Sequence, residues 1–289
     1  MNNYHTHTYR CHHAEGDVSD YAEEAVKAGI EILGFSDHTP LPDGRWTHVR
    51  MSMDELEGYL EAVDNAAEKY GGSGEENFET TDPVLNEIPE NQGTSGKQLT
   101  VLKGLECDWD VPYRNFYIEE LLGKHRLDYL IGAVHFFPYR GEWLPLSAAE
   151  TPSHLNAYAD HLIRAMEQKY FSFIAHPDSF GIGYIEWDEN AEACSKDILS
   201  AAEELGVILE INGYGLRKPE VETSAGLRKK YPLLPFWETA SDYNIKVICN
   251  SDAHKPADTA ASIDETKEIA GMFDLEVTEE LLLKEQSFN

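Results

Sequence analysis

Tyr129-Leu130-Ile131-Gly132-Ala133-Val134-His135 sets the frame for the rest of the chain. Its first six residues carry no charge and do not alternate with polar ones. A strand with one wet face alternates, so an unbroken run suits a strand buried on both faces of a parallel sheet. The run then stops on an imidazole. The same pattern recurs along the chain: 3–7 carries His5-Thr6-His7, 32–36 runs into Asp37-His38, and 99–105 runs into Glu106. Further on, 171–175 meets His176-Pro177 and 246–250 meets Ser251-Asp252-Ala253-His254. A seventh run, at 207–211, reads Val207-Ile208-Leu209-Glu210-Ile211.

Helical patterns separate these strands. Residues 20–28 stop at Gly29, and 52–70 open on the capping-box pattern Ser52-Met53-Asp54-Glu55 before Gly71-Gly72. Further helices fit 115–123, 153–169, 190–205, 236–243 and 264–271. Seven strand-then-helix units predict a distorted (βα)7 TIM-like barrel with right-handed crossovers; a doubly wound open sheet is the alternative. The 289 residues suit one such domain spanning 1–289. Residues 71–97 are rich in Gly, Glu, Asn, Thr and Pro and read as a mobile surface insertion.

Lys and Arg number 23 against 53 Asp and Glu, a formal net charge of −30. A surface that acidic repels nucleic-acid backbones and anionic membranes. Four cysteines, at 11, 107, 194 and 249, form no C-x-x-C pair and read as reduced thiols of a cytoplasmic protein. Cys107 and Cys249 flank the site segments and read as small packing residues. No signal region and no apolar run of about 20 residues is expected to send the chain into a membrane.

In a parallel barrel the strand ends share one face, where active sites form. Side chains at i and i+2 point the same way, so His5 and His7 grip one ion together, as do Asp252 and His254. One imidazole beside an apolar strand is usually a hydrogen-bonded core residue. Six strands ending in imidazole or carboxylate are a different case, because that many buried ionisable groups are costly without a cation. Imidazole and carboxylate suit Zn, Mn or Fe, and the candidates are too many for one ion. The remaining histidines are less suited: His12 is expected to point away, and His154 and His161, one heptad apart, to lie on a helix surface.

His5-x-His7, His13, Asp37-His38, Glu106, His135, His176-Pro177 and Asp252-x-His254, in this order, resemble the PHP (polymerase and histidinol phosphatase) family. The stretches at 5–14, 104–108, 128–136 and 210–219 look most like its histidinol-phosphatase branch, with Gly213-Tyr214 where that branch usually has Thr-Ser. The resemblance implies three divalent ions (Zn, Mn or Fe). His5, His7, Glu106 and Asp252 would hold the first; Glu106, His135 and His176 the second; His13, His38 and His254 the third. It implies hydrolysis of L-histidinol phosphate, a small phosphate monoester, in histidine biosynthesis. Other monoesters or nucleotides are the alternative substrates, and a polymerase-type exonuclease or a non-catalytic metal module fits less well.

Within this reading Glu106, Asp252 and His254 carry catalysis. Arg217, after the sixth strand, is expected to fork a phosphate, with Lys218 beside it. Asp37 is expected to orient a ligand, and Asp108 and Asp178 to receive a substrate ammonium.

Overall fold

The structure, a computed structural model, describes residues 1–71 and 98–283. The expected insertion therefore lies outside the described residues, apart from Gly71 at a helix end. In chain order the elements are β1 (Asn2–Asn3), α1 (Val18–Ala28), β2 (Ile32–Phe35), α2 (Leu56–Gly71), β3 (Thr100–Asp108), a π-helix (Phe116–Lys124) and β4 (Tyr129–Ala133). A hairpin of β5 (Phe136–Tyr139) and β6 (Glu142–Pro145) follows, then α3 (Pro152–Met166), β7 (Phe173–Ile174), α4 (Glu189–Leu205), β8 (Leu209–Asn212) and α5 (Gly213–Arg217). A second hairpin of β9 (Val221–Thr223) and β10 (Gly226–Arg228) precedes α6 (Leu234–Ala240), β11 (Lys246–Asn250), α7 (Ile263–Met272) and β12 (Glu276–Val277).

Helix limits follow local chemistry. Asp17 and Asp20 form a reciprocal capping box at the start of α1, and Gly29 ends it at φ 71°. Asp188 accepts from the N–H groups of Asn190 and Ala191 at the start of α4, and Gly206 ends that helix at φ 67°. The expected 115–123 helix is a π-helix, closing on His125 N donating to Glu120 O at 2.8 Å.

Eight parallel strands form one sheet in the order β1-β2-β3-β4-β7-β8-β11-β12. β12 pairs with the first half of β11, at Lys246 and Val247. Beyond β11 the chain meets the extension of β1 instead. Thr6 bridges Ala253 in parallel, His7 N donates to Ala253 O at 2.9 Å, and Ala253 N donates to His5 O at 3.3 Å. The half-barrel sheet thus bends round to its first strand at the carboxyl ends, giving the distorted TIM-like barrel. The sequence missed β12 and both hairpins, whose strands are two to four residues long.

Period-two register decides what fills the barrel. Tyr129, Ile131 and Ala133 share one face of β4 and meet Tyr4, Phe173, Ala175, Ile248 and Leu281 in an apolar plug. Glu106, Glu210, Asn212 and Asn250 are also buried, with no more than 1% exposure. The Tyr129 ring lies across Gly34 and Gly104, its hydroxyl donating to Tyr4 O at 2.7 Å. A Cβ on Gly104 would stand 2.5 Å from that ring. Gly104→Ala is therefore expected to lower the unfolding free energy by about 1–3 kcal/mol, read from a denaturant midpoint. An unchanged midpoint would mean that Tyr129 has room to retreat.

His161 corrects the sequence reading. It is 4% exposed, wedged between Trp109 and Trp143 with ring centroids 5.3 Å from each. Among the described residues no helix is long and apolar enough to cross a membrane.

Candidate metal centre

Glu106, near the end of β3 and 1% exposed, is the hub. Its Oε1 faces His176 Nε2 at 3.0 Å and His135 Nε2 at 3.4 Å. Its Oε2 faces His38 Nδ1 at 2.9 Å, His5 Nε2 at 3.5 Å and His7 Nε2 at 3.6 Å. Asp252 Oδ1 lies 3.1 Å from His7 Nε2, 3.3 Å from His254 Nδ1 and 3.6 Å from His5 Nε2. The His13 ring stands 4.9 Å from that of His254 and 5.3 Å from that of His38. The nine side chains expected to ligate thus meet at one cluster. Eight of them line a cavity of about 110 Å³, with His5 behind. His176 and Asp252 take positive φ values of 31° and 49°, where the chain leaves its strand and turns these side chains inward.

A second ring of acids holds the first. Asp37 Oδ2 accepts from Thr8 N and Thr8 Oγ1, while its Oδ1 accepts from His38 N and sits 3.4 Å from His7 Nδ1. Glu210 pairs with His5 Nδ1 at 2.8 Å and accepts from His176 N, Asn212 and Asn250. Asp108 accepts from His135 N at 2.7 Å, pairs with His135 Nδ1 at 3.0 Å, and is held by Arg50 Nη2 at 2.6 Å. Such partners fix ring orientation and leave the other nitrogen toward the metal. The sequence reading found Asp37 but not Glu210 or Arg50 in these roles. Asp108→Asn is expected to weaken binding of the ion nearest His135 roughly 10- to 100-fold in a metal titration. Unaltered binding would reduce Asp108 to a packing role.

Charge is divided unevenly among these groups. Burial opposes ionisation throughout, but nearby carboxylates outweigh it at His5 and His7, whose pKa values rise well above the ordinary value. His135, facing Asp108 and Glu106, is pushed up to about 10. Burial likewise disfavours the charged forms of Glu106 and Asp252, yet the surrounding imidazoles hold both well below the carboxylate range. Burial wins at His38, lowered to about 3, and at His254, which also feels the charge on His7.

The cluster fits divalent metal. His176 Nδ1 is buried without a hydrogen-bond partner, and Glu106 Oε2, Asp252 Oδ1, His7 Nδ1 and His38 Nδ1 are buried with ion-pair neighbours that do not meet hydrogen-bond geometry. Orphaned polar atoms are expensive, and carboxylate oxygens most of all. Donor atoms of His5, His7 and Glu106 lie within 4.8 Å of one another; so do those of His7, His38 and His254, and those of His38, Glu106 and His135. Mixed imidazole and carboxylate sets of this kind bind Zn, Mn or Fe.

Three side chains expected at the substrate engage other groups of the protein in this structure. Arg217 donates to the carbonyls of Ser251, Asp252 and Ala261, so its guanidinium pins the loop after β11. Asp178 is fully buried, where its Oδ2 accepts from Leu233 N at 2.6 Å and Trp237 Nε1 at 3.0 Å. Asp108 is taken by His135 and Arg50. Lys218 rests its ammonium 3.6 Å from the centre of the Tyr214 ring, which in turn stacks on His254 at 4.1 Å. Cys107 is buried against Thr39 and Cys249 is buried beside β8, both as packing residues.

Comparison with known proteins agrees with this geometry. The PHP domain family model matches residues 3–213. A Deinococcus radiodurans protein named "Probable histidinol-phosphatase" is 26% identical over 284 residues, covering 92% of this chain and 93% of its own. The Bacillus subtilis "Histidinol-phosphatase" is 25% identical over 282 residues, covering 88% and 93%. Among solved structures, histidinol phosphate phosphatase from Lactococcus lactis subsp. lactis, complexed with Zn, L-histidinol and phosphate, superposes with a TM-score of 0.68 at 13% identity, covering 97% of this chain and 96% of its own. With its barrel, its strand-end ligands and a family match over most of its length, the chain belongs to the PHP domain family.

Proposed function

We propose that the protein is a phosphoric monoester hydrolase that converts L-histidinol phosphate and water to L-histidinol and phosphate, using three divalent ions. The observation that carries this reading is Glu106, whose two oxygens face two different sets of imidazoles. His5, His7 and Asp252 would stand with Oε2, which His38 also faces at 2.9 Å, and His135 and His176 with Oε1. His13, His38 and His254 make a third set. Bound divalent ions supply Lewis acidity toward phosphoryl oxygens and bring water closer to ionisation at neutral pH.

The chain's own groups set the geometry. Asp37, Glu210 and Asp108 fix three imidazole rings. Leu146, Ile182 and Tyr231 form a less polar wall of the cavity and restrict water. Asp252 and His254, at one strand end, are the groups we assign to moving protons. The substrate class is supported by relatives that bear the histidinol-phosphatase name and match this chain over most of both lengths.

The test is phosphate release from L-histidinol phosphate by metal-loaded and chelator-treated protein, with phenyl phosphate beside it. Fast, selective release that chelation abolishes supports the assignment. Metal-dependent release without selectivity keeps the hydrolase and rejects the substrate. No release from either ester under any metal load rejects both.

A further inference from the structure

Cys11 stands inside the cluster, and nothing above uses its thiol. It ends a one-turn 3-10 helix, Tyr9–Cys11, capped by Thr8, which Asp37 holds in place. His12 then takes a left-handed conformation at φ 69°. That reversal leaves both His12 and His13 exposed but turns the His13 ring toward the site, its Nδ1 donating to Cys11 O at 2.7 Å. His13 Nε2 is thereby left as the free ring nitrogen. Cys11 itself has no exposed surface.

Distances tie the thiol to metal-capable atoms. Cys11 Sγ, a His13 nitrogen and a His254 nitrogen all lie within 4.8 Å of one another. Cys11 also falls within that distance of donors on His7 and Asp37. His7, whose buried Nδ1 has Asp37 Oδ1 beside it at 3.4 Å, belongs to the same neighbourhood and groups with His254 as well. Cys107, Cys194 and Cys249 take no part in any such group among the described residues. Cys194 is directed at Leu155 O, and Cys107 at Thr39.

We propose that Cys11 is a thiolate ligand of the ion that His13 and His254 hold. Resting on the metal-centre reading above, this gives the outermost ion a sulfur–imidazole donor set unlike the carboxylate-rich sets at Glu106. The thiol gives up its proton to solvent when the ion binds. His38, whose ring stands 5.3 Å from that of His13, is the candidate fourth donor. Sulfur also selects Zn over Mn at this one position, whereas the sets at Glu106 accept either.

Cobalt separates this proposal from the reading beneath it. Chelator-treated full-length protein is titrated with Co(II) and followed by absorption. Visible d–d bands report cobalt on nitrogen and oxygen ligands; a near-ultraviolet sulfur-to-cobalt charge-transfer band reports a thiolate. We expect both. Cys11→Ser should abolish the charge-transfer band, keep d–d bands from the remaining ions, and weaken one cobalt equivalent by at least roughly 10-fold. Visible bands without charge transfer in the unaltered protein overturn the Cys11 assignment and leave the metal centre standing. Charge transfer that persists in Cys11→Ser assigns the sulfur elsewhere and overturns it too. Absence of any cobalt band overturns the metal centre itself. Should the serine variant fold poorly, Cys11→Ala takes its place, and the unaltered protein's spectrum is decisive without either.

Discussion

Glu106→Gln is expected to lower turnover by about 1000-fold or more, an effect of roughly 4 kcal/mol on the barrier. The substitution keeps the volume of the side chain, so no cavity opens and the barrel keeps its packing. What it removes is the negative charge that five imidazoles face between 2.9 and 3.6 Å. An amide offers one acceptor and one donor group in place of two acceptors, so at most one of the two facing sets retains an oxygen ligand. Metal content should fall with turnover, which links the kinetic loss to the bridge. Because the imidazoles hold Glu106 well below the ordinary carboxylate range, it stays ionised through any practical assay. The loss should therefore be as large at acid as at alkaline pH. A variant that keeps a tenth of the turnover and its full metal load would remove Glu106 from the centre of the site.

How much of this is readable before folding depends on how local the signal is. The strand ends are local: an apolar run that stops on His135 or His176 places that residue at the barrel mouth without further information. Glu210 is half-legible, since one acid inside Val207–Ile211 needs a partner, yet nothing in the run says that the partner is His5, 205 positions away. Arg50 carries no local signal. It sits in an irregular loop, and only the fold brings it to Asp108. Asp178 and Arg217 mislead for the same reason. One follows a ligand by two residues and the other follows a strand by six, so both read as site groups. The fold gives Asp178 to α6 donors and Arg217 to carbonyls that strand pairing leaves without partners. The hairpins and β12 escape because their strands are too short to show a period.

Metal removal should leave a folded protein that melts lower and carries extra protons. An ion bound at a thousandfold excess over its Kd contributes roughly 4 kcal/mol, which for a chain of this length is about 7 °C in Tm. The metal-free cluster does not collapse, because protons take over part of the role. His5, His7 and His135 have raised pKa values, so their ion pairs are fully stabilising below the ordinary histidine value and lost as pH rises through the folded value, about 10 for His135. Glu106 and Asp252 are depressed, so their contribution is complete above the ordinary carboxylate values and lost only in stronger acid. Between those limits imidazolium faces carboxylate. An incoming ion must displace these protons, since only the neutral imidazole ligates. Calorimetric titration at neutral pH in buffers of different ionisation enthalpy should therefore report proton release, and affinity should rise with pH toward the His135 value. A melting temperature indifferent to chelator, with binding heats indifferent to buffer, would mean that the nine side chains are an ion-pair network complete in itself.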